Sequence, residues 1–293
     1  MGLEESFVIG MFATFAVLLF TGFPVAWVLG GTAVIWTGVG LAAVNWFGAD
    51  LWFDFGSSLG LLAERIWGLV ENLTLVALPM FIFMGIMLDQ SGVAERMMNN
   101  IVKLFGVVRG GYAITVVVIG VLLAATTGII GAAVVLLGML SLPVMMKNGY
   151  DKSLAVGTSC ATGTLGILIP PSIMLVLMAD RLATPKASVG DLFLGAVFPG
   201  LLLGGLYIAY ILSVGIISPR KAPLPDDLPT ITPRVFLDVL VAVLPTVALI
   251  LAVLGTIFFG IATPTEASGV GAAGATVLAA FNRRLNFEVL RQS

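Results

Sequence analysis

Residues 163–173 read GTLGILIPPSI, and they lie inside an interval, 153–179, that carries no charged residue. Pro170 and Pro171 have no amide hydrogen, and their rings clash with the preceding turn. A helix running through 153–179 must therefore break here, and carbonyls near Gly166 and Ile167 lose their helical partners. In lipid a broken helix exposes oxygen, since no water is there to pair with it. Thr162, Thr164 and Ser172 add hydroxyls nearby. Carbonyls and hydroxyls are the hard oxygen ligands that a small cation takes at discontinuous transporter helices. A proline kink satisfied by neighbouring helices and by Ser or Thr side chains accounts for the same letters. The local residues leave both readings open.

The surroundings of this run are those of a membrane protein. Of 293 residues, 59% are hydrophobic and 10% charged, against roughly half and a quarter in a soluble domain. A soluble core cannot hide that much apolar surface. Cys160 is the one cysteine and there is no histidine, which removes disulfide frameworks and handicaps zinc sites and histidine-based triads. The net charge is −2 and the basic residues are scattered in ones and twos, so no nucleic-acid surface is expected. No cleavable signal peptide is expected either, because Glu4 and Glu5 stand where a signal would be positive.

A lipid-spanning helix needs about 20 mostly apolar residues. The charge-free intervals are 6–49, 72–88, 110–146, 153–179, 192–219, 239–265 and 267–282. The first holds two spans, near 6–22 and 24–44, joined at Thr21-Gly22-Phe23-Pro24, where Gly supplies unusual dihedrals and Pro suits a first helical turn. Single spans follow near 73–89, 153–179, 191–215, 235–258 and 264–281. Residues 45–72 carry Trp46, Phe47, Trp52, Phe53 and Trp67 among Asp50, Asp54 and Glu71, the composition of an interfacial segment. The expected fold class is an all-α polytopic membrane protein of about seven transmembrane helices, with one re-entrant helical hairpin and one proline-broken helix.

Lys and Arg set the orientation. With residues 89–110 in the cytoplasm, one side holds Arg96, Lys103, Arg109, Lys147, Lys152, Arg220, Lys221, Arg234, Arg283, Arg284 and Arg291, and the other only Arg65, Arg181 and Lys186. This predicts a periplasmic N-terminus and a cytoplasmic C-terminus. The interval 110–146 is short for two spans and a turn, breaks at ATTGIIG (125–131), and is flanked by Arg109 and Lys147 on one side. A re-entrant hairpin fits, its tip tolerated only in protein or against a wet cavity. An ordinary pair of spanning helices fits too.

Other polar residues read as structural. Thr263-Pro264-Thr265-Glu266 is a capping box with Pro at the first helical position, which accounts for Glu266 without a proton-carrying role. Asp151 precedes a helix and can cap it. Cys160, among Thr158, Ser159 and Thr162, suits helix packing.

Several motifs together resemble the large, M-type (DctM) permease subunit of tripartite ATP-independent periplasmic (TRAP) transporters. They are LPMFIFMG (78–85), the segment 111–146, KNGYDKS (147–153), GTLGILIPPSI (163–173), FPGLLLG (198–204) and TPTEASGV (263–270), in the family's order and over most of the chain. ATTGIIGA (125–132) resembles the branch labelled for mannitol or chloroaromatic compounds; in other branches the tip is serine-rich. The resemblance implies an elevator-type secondary transporter energised by a sodium gradient, with no cofactor and Na+ as coupling ion. Its implied partners are a small membrane (Q-type) subunit and a periplasmic substrate-binding protein delivering a carboxylate, in the bacterial inner membrane. One sodium site of the family maps onto Thr127 and Gly128 at the hairpin tip, with Gly163, Thr164 and Pro170 in the broken helix.

The expected organisation is therefore 1–72, N-terminal helices and interfacial segment; 73–190, the first transport repeat with hairpin 110–146 and broken helix 153–179; and 191–293, the following spans. The family's second inverted repeat is absent from this sequence, so the permease's other half is an expected partner. An enzyme is not expected, because uninterrupted spans offer almost no ionisable side chains for catalysis. The alternative to a transporter subunit is a truncated, non-transporting fragment or scaffold portion of such a permease.

Overall fold

Among the described residues, each charge-free interval is mostly helix. A computed structural model describes residues 3–48, 55–128, 130–182, 188–224, 232–282 and 284–285. Asp50, Trp52, Phe53, Asp54, Lys186, Arg283 and Arg291, on which parts of the interfacial and orientation readings fall, lie outside the described residues. The chain divides into two compact units, Met1–Asn72 and Leu73–Ser293. In the first, α1 (Leu3–Leu19) and α2 (Val25–Phe47) form a hairpin, followed by α3 (Phe55–Val70). Their turn contains Gly22 at φ +84°, a left-handed conformation that glycine adopts without penalty. Phe7 stacks edge-on against Trp36 with centroids 5.5 Å apart.

The second unit holds α4 (Leu73–Gln90), α5 (Val93–Phe105), α6 (Gly111–Thr127), α7 (Ile130–Lys147), α8 (Lys152–Gly163), a 3-10 turn (Thr164–Ile167), α9 (Ile173–Leu182), α10 (Val189–Ile217), α11 (Pro233–Phe258) and α12 (Pro264–Phe281). The protein is an all-α polytopic membrane protein. Among the described residues, five helices, α2, α4, α7, α10 and α11, are long and apolar enough to cross a membrane by length and composition. At 12 and 10 residues, neither α8 nor α9 crosses alone; together with the turn they make one broken pass. Lone prolines at 79, 143, 199 and 245 sit within helices, whereas the Pro170-Pro171 pair stops one.

Packing places the loops at two ends of this unit. At one end the Thr265 hydroxyl donates to the Leu73 carbonyl at 2.7 Å, and Thr74, Ala179, Ser188, Ile257 and Pro264 line a shared hollow. There α4, α10 and α12 begin, and α9 and α11 finish. At the other end the Asp151 amide donates to the Lys221 carbonyl at 3.0 Å, the Tyr112 amide donates to the Tyr150 hydroxyl at 3.3 Å, and Arg96 donates to Asn282. That second end collects Arg96, Arg109, Lys147, Lys152, Arg220, Lys221 and Arg284, while Arg181 lies at the first.

Helix starts carry their own acceptors. Thr263 and Glu266 form the expected capping box, with the Thr263 amide donating to Glu266 at 2.8 Å. Asp151 caps α8 by accepting from the Leu154 amide at 3.1 Å. A second box, Ser188 with Asp191, starts α10; its Ser-x-x-Asp spacing is legible in the sequence but was not among the expectations above. Among the described residues the most extensive helix pairing is α4 with α12, whose buried face is Ala267, Ser268, Gly271, Ala272, Ala275 and Ala279. A Cβ on Gly271 would lie 2.6 Å from the Met84 sulfur and 3.1 Å from Val253. Small residues are what let membrane helices approach this closely.

Candidate functional site

The hairpin and the broken helix meet. Gly128 ends α6 at φ +58° and is buried. A Cβ placed on it would stand 3.3 Å from the Ile173 amide nitrogen and 3.5 Å from the Pro171 carbonyl oxygen. The hairpin thus turns back at the level of the proline break, while α9 runs on for ten residues, about 15 Å, toward the far end. Of the two readings of 110–146, this geometry is the re-entrant one: the hairpin stops short of the end that α9 reaches. The side chain of Thr127 and all of Ile129 lie outside the described residues.

The expected ligands are placed unequally. Gly163 is pressed against α7, since a Cβ there would fall 2.9 Å from both the Cα and the amide nitrogen of Val134. Its absent side chain is a packing requirement. Thr164 is exposed, and its hydroxyl donates to the Ala161 carbonyl at 2.7 Å. Pro170 is buried beside the contact with the tip. The structure therefore brings Gly128 to the segment just past Pro170, while the Thr164 hydroxyl is bonded within its own helix.

Of the two readings of the break, satisfaction by a side chain holds at Ile167: Pro171 has no amide to give its carbonyl, and the buried Ser172 hydroxyl folds back and donates to it at 2.8 Å. The Leu165 carbonyl meanwhile accepts from the amides of both Leu168 and Ile169, at 2.9 and 3.0 Å. The 3-10 turn and one serine thus satisfy part of the oxygen that the prolines strand, which leaves Ser172 without a hydrogen to offer elsewhere.

Thr162 is the residue whose placement the sequence did not single out. It is fully buried, its methyl packs on Gly120 of α6, and its hydroxyl has no partner among the described residues. It lines a cavity of about 560 Å³ between α8 and α10, together with Thr158, Tyr207, Tyr210, Ser213 and Lys221. An unpaired buried hydroxyl costs about 1–3 kcal/mol. Thr162→Val, which keeps the shape and removes the oxygen, should therefore raise the thermal unfolding temperature in detergent; a drop would mean that the hydroxyl has a partner.

This arrangement, a glycine-tipped hairpin meeting a proline-broken helix, occurs in a chain that matches a known family over nearly all its length. The model for "Tripartite ATP-independent periplasmic transporter, DctM component" matches residues 12–293. The chain belongs to that family. It is similar to the C4-dicarboxylate TRAP transporter large permease protein DctM of Pseudomonas aeruginosa, 36% identical over 220 residues covering 75% of this chain and 50% of the relative. Its likeness to the Vibrio cholerae protein of the same description is 35% over 265 residues, 90% of this chain and 54% of the relative. The isethionate TRAP transporter permease protein DctMQ of Oleidesulfovibrio alaskensis is 29% identical over 94% of this chain and 40% of the relative. The chain is thus of the DctM large-permease type, and it spans about half the length of the curated relatives it matches.

Proposed function

We propose that the chain forms the first half of the permease of a sodium-coupled secondary transporter that imports small organic acids, and is not an enzyme. The observation that carries this reading is the contact of Gly128 with Pro171 and Ile173. Discontinuous helices that meet within a membrane protein are where coupling ions and substrates bind in this class of transporters. The Pro171 carbonyl and the tip backbone offer oxygen for Na+ there. The carboxylate's charge is offset by helix N-termini, hydroxyls and bound Na+, and two of the relatives are named for C4-dicarboxylates.

The partners that complete this reading are a second permease half, a small Q-type membrane subunit and a periplasmic binding protein. Fusion of the two membrane components in the relative described as DctMQ supports the pairing with the small subunit. The test is uptake of labelled carboxylates by the completed permease in liposomes with its binding protein. Uptake should follow an inward sodium gradient and vanish when potassium replaces sodium, whereas equal uptake in both overturns sodium coupling. The same assay separates a half-transporter from the alternative, a non-transporting fragment or scaffold: these 293 residues alone give no uptake, and completion with the second half restores it only in the first case.

We place the basic end of the second unit in the cytoplasm of a bacterium, at its inner membrane, with the N-terminus periplasmic. Among the described residues, Arg96, Arg109, Lys147, Lys152, Arg220, Lys221 and Arg284 gather there against Arg181 at the opposite end, the bias that short cytoplasmic loops show. In a Cys160→Ser background, cysteines at Arg109 and Lys147 should resist a membrane-impermeant thiol reagent in intact cells, and one at Arg181 should react. The reverse pattern would invert the map.

A further inference from the structure

We propose that α3 lies flat in the lipid headgroup layer, its apolar stripe dipped into the acyl boundary, and so acts as a membrane-surface anchor between two spans. At 100° per residue, Leu62, Ile66, Leu69 and Val70 fall on one continuous stripe of α3, with Trp67 at its edge. Glu64 and Gly68 fall on the opposite side together with Leu61, and Arg65 flanks the stripe beside Leu69. The stripe is open: Leu62 and Ile66 are each 54% exposed and Val70 is 68% exposed.

Lipid is the occupant that the chain's own path selects. A 16-residue helix is about 24 Å long, short of the roughly 30 Å hydrocarbon core. Glu64 and Arg65 at its centre also make a crossing costly. Its last residue, Val70, is separated from Leu73, the first residue of the apolar α4, by Glu71 and Asn72 alone, so that end stays within about 10 Å of a membrane-spanning helix. Upstream, α2 is itself long and apolar enough to cross. A helix tied to spans on both sides cannot leave the membrane surface, and a stripe of this width there faces acyl chains. Trp67 completes the pattern: its indole nitrogen donates to Glu71 at 2.6 Å, which holds an amphipathic ring at the end nearest α4, the residue type enriched at headgroup level.

The experiment uses the 293-residue chain in phosphatidylcholine and phosphatidylglycerol vesicles, in a Cys160→Ser background, with nitroxides on single cysteines at Leu62, Glu64, Arg65, Ile66 and Leu69. Power saturation with oxygen and with a water-soluble nickel chelate reads the depth of each. The stripe positions should lie about 5–10 Å below the phosphates, Glu64 should be open to nickel, and Arg65 on the flank should fall between them, so that depth oscillates with the helix repeat. Labels all open to nickel, labels whose depth changes steadily along α3, or stripe labels shielded from both reagents by protein would each overturn the proposal. Should a labelled variant fail to fold, the difference between the wild type and Trp67→Phe isolates Trp67 fluorescence. Quenching by lipids brominated near the headgroup, and weak quenching by acrylamide, is then expected; strong acrylamide quenching overturns it.

Discussion

Gly163→Ala should lower the unfolding temperature of the protein in detergent, and Gly163→Leu should abolish the folded state in most preparations, while Gly157→Ala on the same helix should raise it. Both glycines lie in α8, and alanine in place of a helical glycine is worth about 0.5–1 kcal/mol when nothing opposes it. At Gly157 nothing stands within 4 Å of the new Cβ. At Gly163 the new atom meets the backbone of Val134 at 2.9 Å, and backbone cannot turn aside as a side-chain end can. Overpacking of this kind costs about 1–3 kcal/mol for small insertions and more for large ones. The opposite signs at two positions six residues apart are the diagnostic, since any general weakness of α8 would move both the same way. Equal effects would mean that α7 and α8 are not held at the spacing described.

The second large effect concerns the ion. If Na+ sits where the tip meets the break, a methyl group on Gly128 intrudes on that place, 3.5 Å from the Pro171 carbonyl. It also imposes φ +58° on an L-residue, at about 1–2 kcal/mol. The fold should survive that cost, and ion binding should not. Thr164→Val is the companion variant: its hydroxyl belongs to the expected ligand set, yet it is exposed and bonded to its own helix. A large effect at Gly128 with a small one at Thr164 would assign the ion to the tip and the carbonyls rather than to the hydroxyls of α8.

Much of the architecture was readable from the spacing of charges, because a bilayer punishes ionisable groups and unpaired backbone alike. The span near 264–281 and its capping box appear as α12 with Thr263 and Glu266 paired. The break at Pro170-Pro171 appears because two adjacent residues lack amides and both crowd the turn before them. What the letters did not carry was distance. Whether 110–146 crosses or turns back depends on what its tip touches, and Gly128 reports that only through its neighbours in α9. Gly163, a ligand position implied by the family resemblance, is also a spacing residue against Val134, a role set by a helix about thirty residues earlier. Whether the Ile167 carbonyl finds a new partner was open in the sequence, and Ser172 reaches it across the break. Thr162 looked like one hydroxyl among several, and only packing on Gly120 buries it without a partner.

The most direct measurement is sodium affinity of the completed permease, by titration calorimetry or radiolabelled sodium, for the wild type beside Gly128→Ala and Thr164→Val, with folding checked by thermal unfolding. A site at the meeting of hairpin tip and broken helix predicts an affinity lower by about tenfold or more in Gly128→Ala, the scale of losses when a metal site's supporting geometry is altered. Unchanged sodium affinity in both folded variants would contradict it.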